Sequence, residues 1–310
     1  MKIAIVGPGA LGCLLAARLF AAGEDVCLVD YRPDRVRLLS QQGIRLEASP
    51  GRETVMRIPI GLAGDITARD LAIVTVKTYR TAAAALALPR LLAPGGIALT
   101  LQNGLGNLEE MAKVVGWEPL AAGVTYLGVI RRDEGVVVPA GQGPTFLGAP
   151  QGSRVTRPTL EEVAQRFGRA GLECGVRADI EALLCEKLQV NVAINPLTAI
   201  LRVPNGMLLD LPEAWQVSLA AAREAAAVAQ AAGFTLPEPL EDRLRRVCTA
   251  TAANRSSMLQ DILAGRPTEI EALNGQVAAR GAALSVPTPT NDLLTKLVRS
   301  LEQSVPRRVG

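Results

Sequence analysis

KIAIVGPGALGCLLAARLFAAGEDVCLVD, residues 2–30, decides the fold. Residues 2–6 read as a short buried strand that runs straight into Gly7-Pro8-Gly9-Ala10-Leu11-Gly12. An Ala- and Leu-rich helix follows to about Gly23, and residues 25–29 form a second strand ending at Asp30. A strand, glycine turn, helix and strand within about 30 residues make a dinucleotide-binding βαβ unit. In this pattern the first glycine turns the chain, the second admits a pyrophosphate to the backbone, and the third packs helix on strand. The backbone of residues 7–12 is therefore expected to cradle a pyrophosphate at the helix N-terminus. An acid at the position of Asp30 ordinarily accepts a hydrogen bond from the ribose 2′-OH and repels a 2′-phosphate, which favours NADH. Arg32, two residues on, can still reach a 2′-phosphate if Asp30 turns aside.

Outward from this unit, residues 71–76 (LAIVTV) and 97–101 (IALTL) read as further strands, with helices near 79–90 and 106–115. The alternation predicts a mainly parallel sheet. Stretches 43–61 and 120–148, rich in Val, Ile, Thr and glycine turns, read as additional strands. From about residue 157 the pattern becomes helical, at 158–170, 179–200, 212–232, 239–264, 268–284 and 289–304. The expected architecture is α/β: a Rossmann-type doubly wound sheet over residues 1–178, followed by an all-α domain over 179–310.

Composition narrows the chemistry. A chain of 310 residues with 49% hydrophobic and 20% charged residues has the make-up of a globular protein with a full core. The net charge of +3 is dispersed without a basic run, so neither a nucleic-acid nor an acidic membrane partner is expected. Cys13, Cys27, Cys174, Cys185 and Cys248 are odd in number and lack a CxxC pair, and read as reduced core thiols. Arg18 interrupts the one stretch that resembles a signal peptide, and no apolar run reaches the ~18 residues of a membrane span, so a cytoplasmic chain is expected. Histidine is absent. Imidazole-dependent mechanisms and the common zinc ligand sets are thereby removed, and no metal is expected. Proton transfer falls to Lys, Glu, Asp, Tyr or Cys, with a lysine acid as the leading candidate.

Three polar clusters stand out. In CEKLQVNVAINPLTAILRVPNG, residues 185–206, Lys187, Asn191 and Asn195 recur at i, i+4 and i+8 amid apolar neighbours. That spacing stacks a cation and two amides on one helix face, which suits a small polar ligand. Taken alone, the stripe also reads as the solvated face of an amphipathic helix. Lys77 and Gln102-Asn103-Gly104 follow predicted strands, at the carboxyl ends that line the ligand crevice of an open parallel sheet, although Asn-Gly is also a common turn. Asn254-Arg255-Ser256-Ser257 and, further on, Glu269 and Asn274-Gly275 fit helix capping and a first-turn carboxylate equally well.

The ordered set GPGALG, VTVK, QNGLG, EKLQVNVAINPLTAI, PNG, NRSSMLQDI and RPTEIEALNG resembles the ketopantoate reductase family over nearly the whole chain. The helical-domain motifs are far more specific than the glycine loop. The resemblance implies reduction of ketopantoate to (R)-pantoate by a nicotinamide cofactor on the route to pantothenate and coenzyme A, with NADPH as the family's usual donor. It puts the general acid on Lys187 and an organising carboxylate on Glu269. Substrate contacts fall on Asn191, Asn195, Asn205, Asn254 and Ser257. Cofactor contacts fall on residues 7–12, Lys77, Asn103 and Glu269, and on Gly128 and Val129. Many members carry an arginine directly after the second strand, where this chain has Asp30-Tyr31-Arg32, so NADPH and NADH both stay open. Two other readings remain: a related dehydrogenase of another small 2-keto acid, and a dinucleotide sensor that kept the Rossmann domain. Retention of Lys187, Asn191, Ser257 and Glu269 together speaks against the sensor. A monomer and a homodimer are both compatible with an apolar helical domain.

Overall fold

The structure is a computed structural model and describes residues 1–49, 52–237 and 239–304. It divides into two compact units, Met1–Gln102 with Asn107–Ile180, and Asn103–Gly106 with the chain from Glu181 onward.

The first unit opens with β1 (Lys2–Val6), α1 (Ala10–Ala21), β2 (Asp25–Val29) and α2 (Pro33–Gln42). There follow β3 (Ile44–Ser49), β4 (Arg52–Met56), β5 (Ile60–Gly61), β6 (Arg69–Val74), α3 (Thr81–Ala85), α4 (Leu88–Leu91) and β7 (Leu92–Thr100). The unit closes with α5 (Asn107–Val115), β8 (Leu120–Thr125), β9 (Gly128–Asp133), β10 (Val136–Gly141), β11 (Thr145–Gly148), α6 (Arg157–Arg169) and β12 (Cys174–Val176). Among the described residues the larger sheet runs β12-β11-β8-β7-β6-β1-β2-β5, parallel throughout except where β11 meets β8. A smaller sheet runs β4-β3-β10-β9. The stretches 43–61 and 120–148 thus do hold strands, shared between the two sheets; residues 50–51 of the first lie outside the described residues.

α1 explains why both sheets fold onto one core. Cys13, Leu14, Leu15, Ala16, Ala17 and Leu19 are all buried, more than one face of a helix can supply. Their cluster takes Ile3, Ile5 and Leu28 from the larger sheet and Leu46 and Val137 from the smaller. A helix apolar on most sides is stable only when covered on most sides, and each fully buried Leu contributes about 1.5–3 kcal/mol.

The second unit holds α7 (Ile180–Leu201), a 3-10 turn at Asn205–Asp210, α8 (Pro212–Ala231), α9 (Leu240–Ala250) and α10 (Ser257–Leu263). A π turn at Glu271–Gly275, α11 (Gln276–Ala283) and α12 (Pro289–Ser304) complete it. α7 is central: Leu188, Val192 and Ala199 pack into one apolar cluster while Ala193, Ile194 and Leu197 pack into another.

Three expected helices differ in detail. The one expected at 239–264 is two, because Ser256 caps a new start by accepting a hydrogen bond from Leu259 N–H at 3.1 Å. The one at 268–284 begins with the π turn. The one at 79–90 is a 3-10 turn at Thr78–Arg80 followed by α3 and α4, the latter begun by Pro89. α2 was not expected from the sequence, since it buries only Arg35 and Leu39 and so has almost no apolar stripe.

Candidate active site

β1 pairs in parallel with β2 on one side and β6 on the other, so the strand order reverses at β1, where open α/β sheets bind ligands. Gly7 sits there at φ +101°, and a Cβ on it would stand 2.8 Å from Val76 N. A Cβ on Gly12 would collide with Gly7 O and stand 2.6 Å from Thr75 Oγ1. The protein itself thus demands the first and third glycines. Gly9 differs: the nearest atom to a Cβ there is Thr75 O at 4.0 Å. Its open side adjoins Ala10 and Leu11 in the first turn of α1, where N–H groups lack intrahelical acceptors and the helix dipole favours an anion. A pyrophosphate fits this cradle.

Asp30 is buried and already engaged. Its Oδ1 accepts hydrogen bonds from Tyr31 N–H at 2.7 Å and Arg32 N–H at 3.1 Å. Its Oδ2 faces Arg35 Nη1 at 3.4 Å without a hydrogen bond. Arg35 also donates to the Pro8 carbonyl of the glycine loop and pairs with Glu134 at 2.6 Å. Arg32, by contrast, has a side chain 41% exposed and, among the described residues, paired with the surface carboxylate of Asp34. Beside it Arg80 stacks over the exposed Tyr31 ring, 5.3 Å from its centroid. Lys77 opens the 3-10 turn after β6, next to Val76, whose carbonyl accepts from Gln102 Nε2 at 2.8 Å. Gln102 thereby ties the ends of β6 and β7 together. Val129 stands in β9 opposite Pro139, packed against the apolar cluster.

In the second unit Asn103, Lys187 and Glu269 come together. Lys187 Nζ donates to Asn103 Oδ1 at 2.9 Å, and Asn103 Nδ2 donates to Glu269 Oε2 at 3.5 Å. The Asn103 loop is seated by Leu105 N–H donating to Ala272 O at 2.9 Å. Gly104 permits this seat: its φ is +75°, and a Cβ would collide with Ala272 O. Burial pulls the Lys187 ammonium down to about 8, against the opposing pull of Glu269, whose carboxylate favours the charged form. A lysine tuned to titrate near neutrality is an effective proton donor.

The remaining residues of the predicted site are also in this unit. Asn195 is buried and Asn191 partly so, and neither side-chain amide is engaged by another described residue. Asn205 is buried; its Nδ2 donates to Thr251 Oγ1 at 3.0 Å, while its Oδ1 is buried without a hydrogen-bond partner. Asn205 N–H donates to Asn254 O at 3.0 Å, which joins the PNG turn to the NRSS segment. Because Ser256 is the cap of α10, the hydroxyl of exposed Ser257 is left for other work. Glu269 is buried rather than a solvated first-turn carboxylate. Sequence reasoning missed Arg35 as the partner of Asp30, and singled out Asn274 only as a capping candidate, whereas it is fully buried in the π turn. The one signal for Asn274 was Pro196 inside a helix that needs its carbonyls satisfied. The cysteines are not part of the chemistry: burial pushes Cys13 and Cys174 up to about 12 and Cys185 and Cys248 to about 11.

A glycine cradle at the reversal point of a parallel sheet, followed by a helical unit holding a tuned lysine, defines a two-domain nicotinamide-dependent oxidoreductase. Comparison with known proteins agrees. The family model "Ketopantoate reductase PanE/ApbA" matches residues 3–152, and its C-terminal counterpart matches residues 179–302. The chain belongs to the ketopantoate reductase family. It is 36% identical over 300 residues to the 2-dehydropantoate 2-reductase of Halobacterium salinarum, covering 96% of this chain and 98% of the relative. The crystal structure of a PanE/ApbA family ketopantoate reductase from Ralstonia eutropha superposes with TM-score 0.88 at 31% identity, covering 99% of this chain and 100% of that one. A D-mandelate dehydrogenase solved with NADH and anilino(oxo)acetate superposes with TM-score 0.90 at 26% identity, covering 99% and 100%. Among the described residues no helix is long and apolar enough to cross a membrane.

Proposed function

We propose that the chain is a 2-dehydropantoate 2-reductase that reduces the ketone of ketopantoate to the alcohol of (R)-pantoate. The observation that carries this reading is the partly buried Lys187, tuned to about 8 and held by Asn103 beside Glu269. When bound, the reduced nicotinamide dinucleotide supplies a hydride to C2. Lys187 stabilises the oxygen that becomes negative and gives it a proton, breaking an N–H bond and forming an O–H bond. The lysine is left as a neutral amine and regains its proton from solvent. Asn103 holds the ammonium through one N–H donor, which orients it toward the substrate oxygen. Glu269 keeps Lys187 protonated at neutral pH.

Asn205 Oδ1, a buried acceptor without a donor, suits the substrate's primary hydroxyl. Ser257 and the amides of Asn191, Asn195 and Asn254 offer donors to the carboxylate. Residues 7–12 hold the pyrophosphate, with Lys77 and Asn103 toward ribose and nicotinamide. Of the two dinucleotides we favour NADPH, on the family resemblance and because Arg32 is exposed while one oxygen of Asp30 is taken by its own turn.

The likeness to D-mandelate dehydrogenase supports a second reading, in which the keto acid is a different, aryl-bearing one. Oxidation of NADPH and NADH should be followed with ketopantoate beside benzoylformate and pyruvate. The proposal expects ketopantoate to have the largest kcat/KM. A larger value for benzoylformate would establish the second reading in its place.

A further inference from the structure

α7 contains a proline at a place where a helix ordinarily cannot tolerate one. Pro196 has no N–H, so the carbonyl four residues earlier, that of Val192, loses its helical partner. Val192 is fully buried, and water cannot supply the missing donor. Asn274 does so: its Nδ2 donates to Val192 O at 3.1 Å and to Asn291 Oδ1 at 3.0 Å. Asn274 is itself fully buried. Asn291 is fixed in turn, donating from Nδ2 to Ala221 O at 3.0 Å and to Glu224 Oε2 at 2.7 Å. The donor therefore reaches α7 from a braced scaffold and not from a loose side chain.

The two ends of this hydrogen bond are informative. Val192 lies between Asn191 and Asn195 on the helix that also carries Lys187. Asn274 lies in the π turn whose Ala272 carbonyl seats the Asn103 loop and which begins two residues after Glu269. π turns recur at functional sites because the extra residue re-aims neighbouring side chains. Here the turn delivers an amide to the one carbonyl that Pro196 leaves open.

We propose that Asn274 is a positioning residue that, by occupying the carbonyl freed by Pro196, sets the spacing between the Lys187–Asn191–Asn195 face of α7 and the Asn103–Glu269 segment. The inference rests on the assignment of that face to the keto acid. It makes Pro196 and Asn274 a coupled pair: the proline creates an acceptor that Asn274 serves, and restoring a helical N–H at 196 removes the need for Asn274.

The test is a double-mutant cycle with Asn274→Ala, Pro196→Ala and both together, reading KM for ketopantoate, the pH dependence of kcat/KM and the thermal unfolding midpoint. Asn274→Ala is expected to raise KM about tenfold or more. It should also lower the pH at which kcat/KM falls, because Glu269 no longer sits correctly against Lys187. Pro196→Ala restores the 192–196 helical bond, and in that background Asn274→Ala should cost clearly less in KM and in unfolding midpoint. Equal costs in both backgrounds would overturn the proposal, as would an Asn274→Ala enzyme with unchanged KM and pH profile. If Asn274→Ala alone does not fold, recovery of folded protein in the double variant supports the coupling and continued failure overturns it. Should wild-type enzyme not reduce ketopantoate, the functional reading fails, but the unfolding midpoints still decide whether Asn274 serves the Val192 carbonyl.

Discussion

Glu269→Gln removes a carboxylate without changing the shape of the side chain, and its effect on Lys187 can be worked out in advance. The ammonium touches Asn103 Oδ1 at 2.9 Å, and Asn103 Nδ2 lies 3.5 Å from Glu269 Oε2. With the width of one amide between these contacts, the two charges are at most about 9 Å apart, which at an effective dielectric of about 20 is an attraction of at least about 1.8 kcal/mol. That equals about 1.3 pKa units. Glu269 raises Lys187 against the larger lowering by burial, so its loss should carry the lysine from about 8 to about 6.7 or lower. With Lys187 as the proposed acid, reduction needs the protonated lysine, so activity should be retained below its pKa and lost as pH rises through it. At about pH 7.5 the protonated fraction should fall from roughly three quarters to roughly one seventh, a loss of about fivefold in kcat/KM that nearly disappears at about pH 6. Steady-state kcat/KM with ketopantoate from about pH 5.5 to 9.5 measures both limbs. A falling limb that stays in place, or moves upward, would refute the assignment of Glu269 as the group that keeps Lys187 charged.

Lys187→Ala should lower kcat by roughly two to four orders of magnitude while dinucleotide affinity, measured by fluorescence titration, changes little. Ser257→Ala should mainly raise KM for ketopantoate, as should Asn191→Ala; unaltered kinetics in either would move the substrate elsewhere. Arg32→Ala should lower kcat/KM with NADPH by about ten- to a hundredfold, the worth of a charge-assisted hydrogen bond, with NADH nearly unaffected. Asp30→Ala should weaken both dinucleotides together, and a selective loss of NADH would return the reading of the ribose 2′-OH to Asp30.

What was legible in the sequence follows from the range of the interactions involved. The glycine turn depends on backbone dihedrals and on neighbours that any βαβ unit supplies, so Gly7, Gly9 and Gly12 could be read from spacing alone. The polar stripe of α7 could be read because helical periodicity is local. The break between α9 and α10 was hidden because Ser256 and Ser257 look alike in a string of letters, and only packing decides that Ser256 is the cap. The shift of Lys187 was hidden too: the absence of histidine pointed to a lysine, but the pull down to about 8 comes from burial by distant segments. α2 escaped notice because its buried face is an arginine and a leucine.

That arginine also bears on the positional rule for the dinucleotide. An acid at the end of the second strand signals NADH when its carboxylate oxygens remain open to the ribose after the chain's own donors have been served. One oxygen of Asp30 is held by the Tyr31 and Arg32 N–H groups, while the other faces Arg35 at 3.4 Å without a hydrogen bond. Arg35 in turn holds the Pro8 carbonyl and Glu134, so its position is set by the glycine loop on one side and the smaller sheet on the other. The carboxylate thus fixes the turn after β2, with Arg35 linking it to the Pro8 carbonyl of the glycine loop. On the proposed reading, discrimination at the 2′ position falls to Arg32, whose exposed side chain would exchange its pairing with Asp34 for a 2′-phosphate.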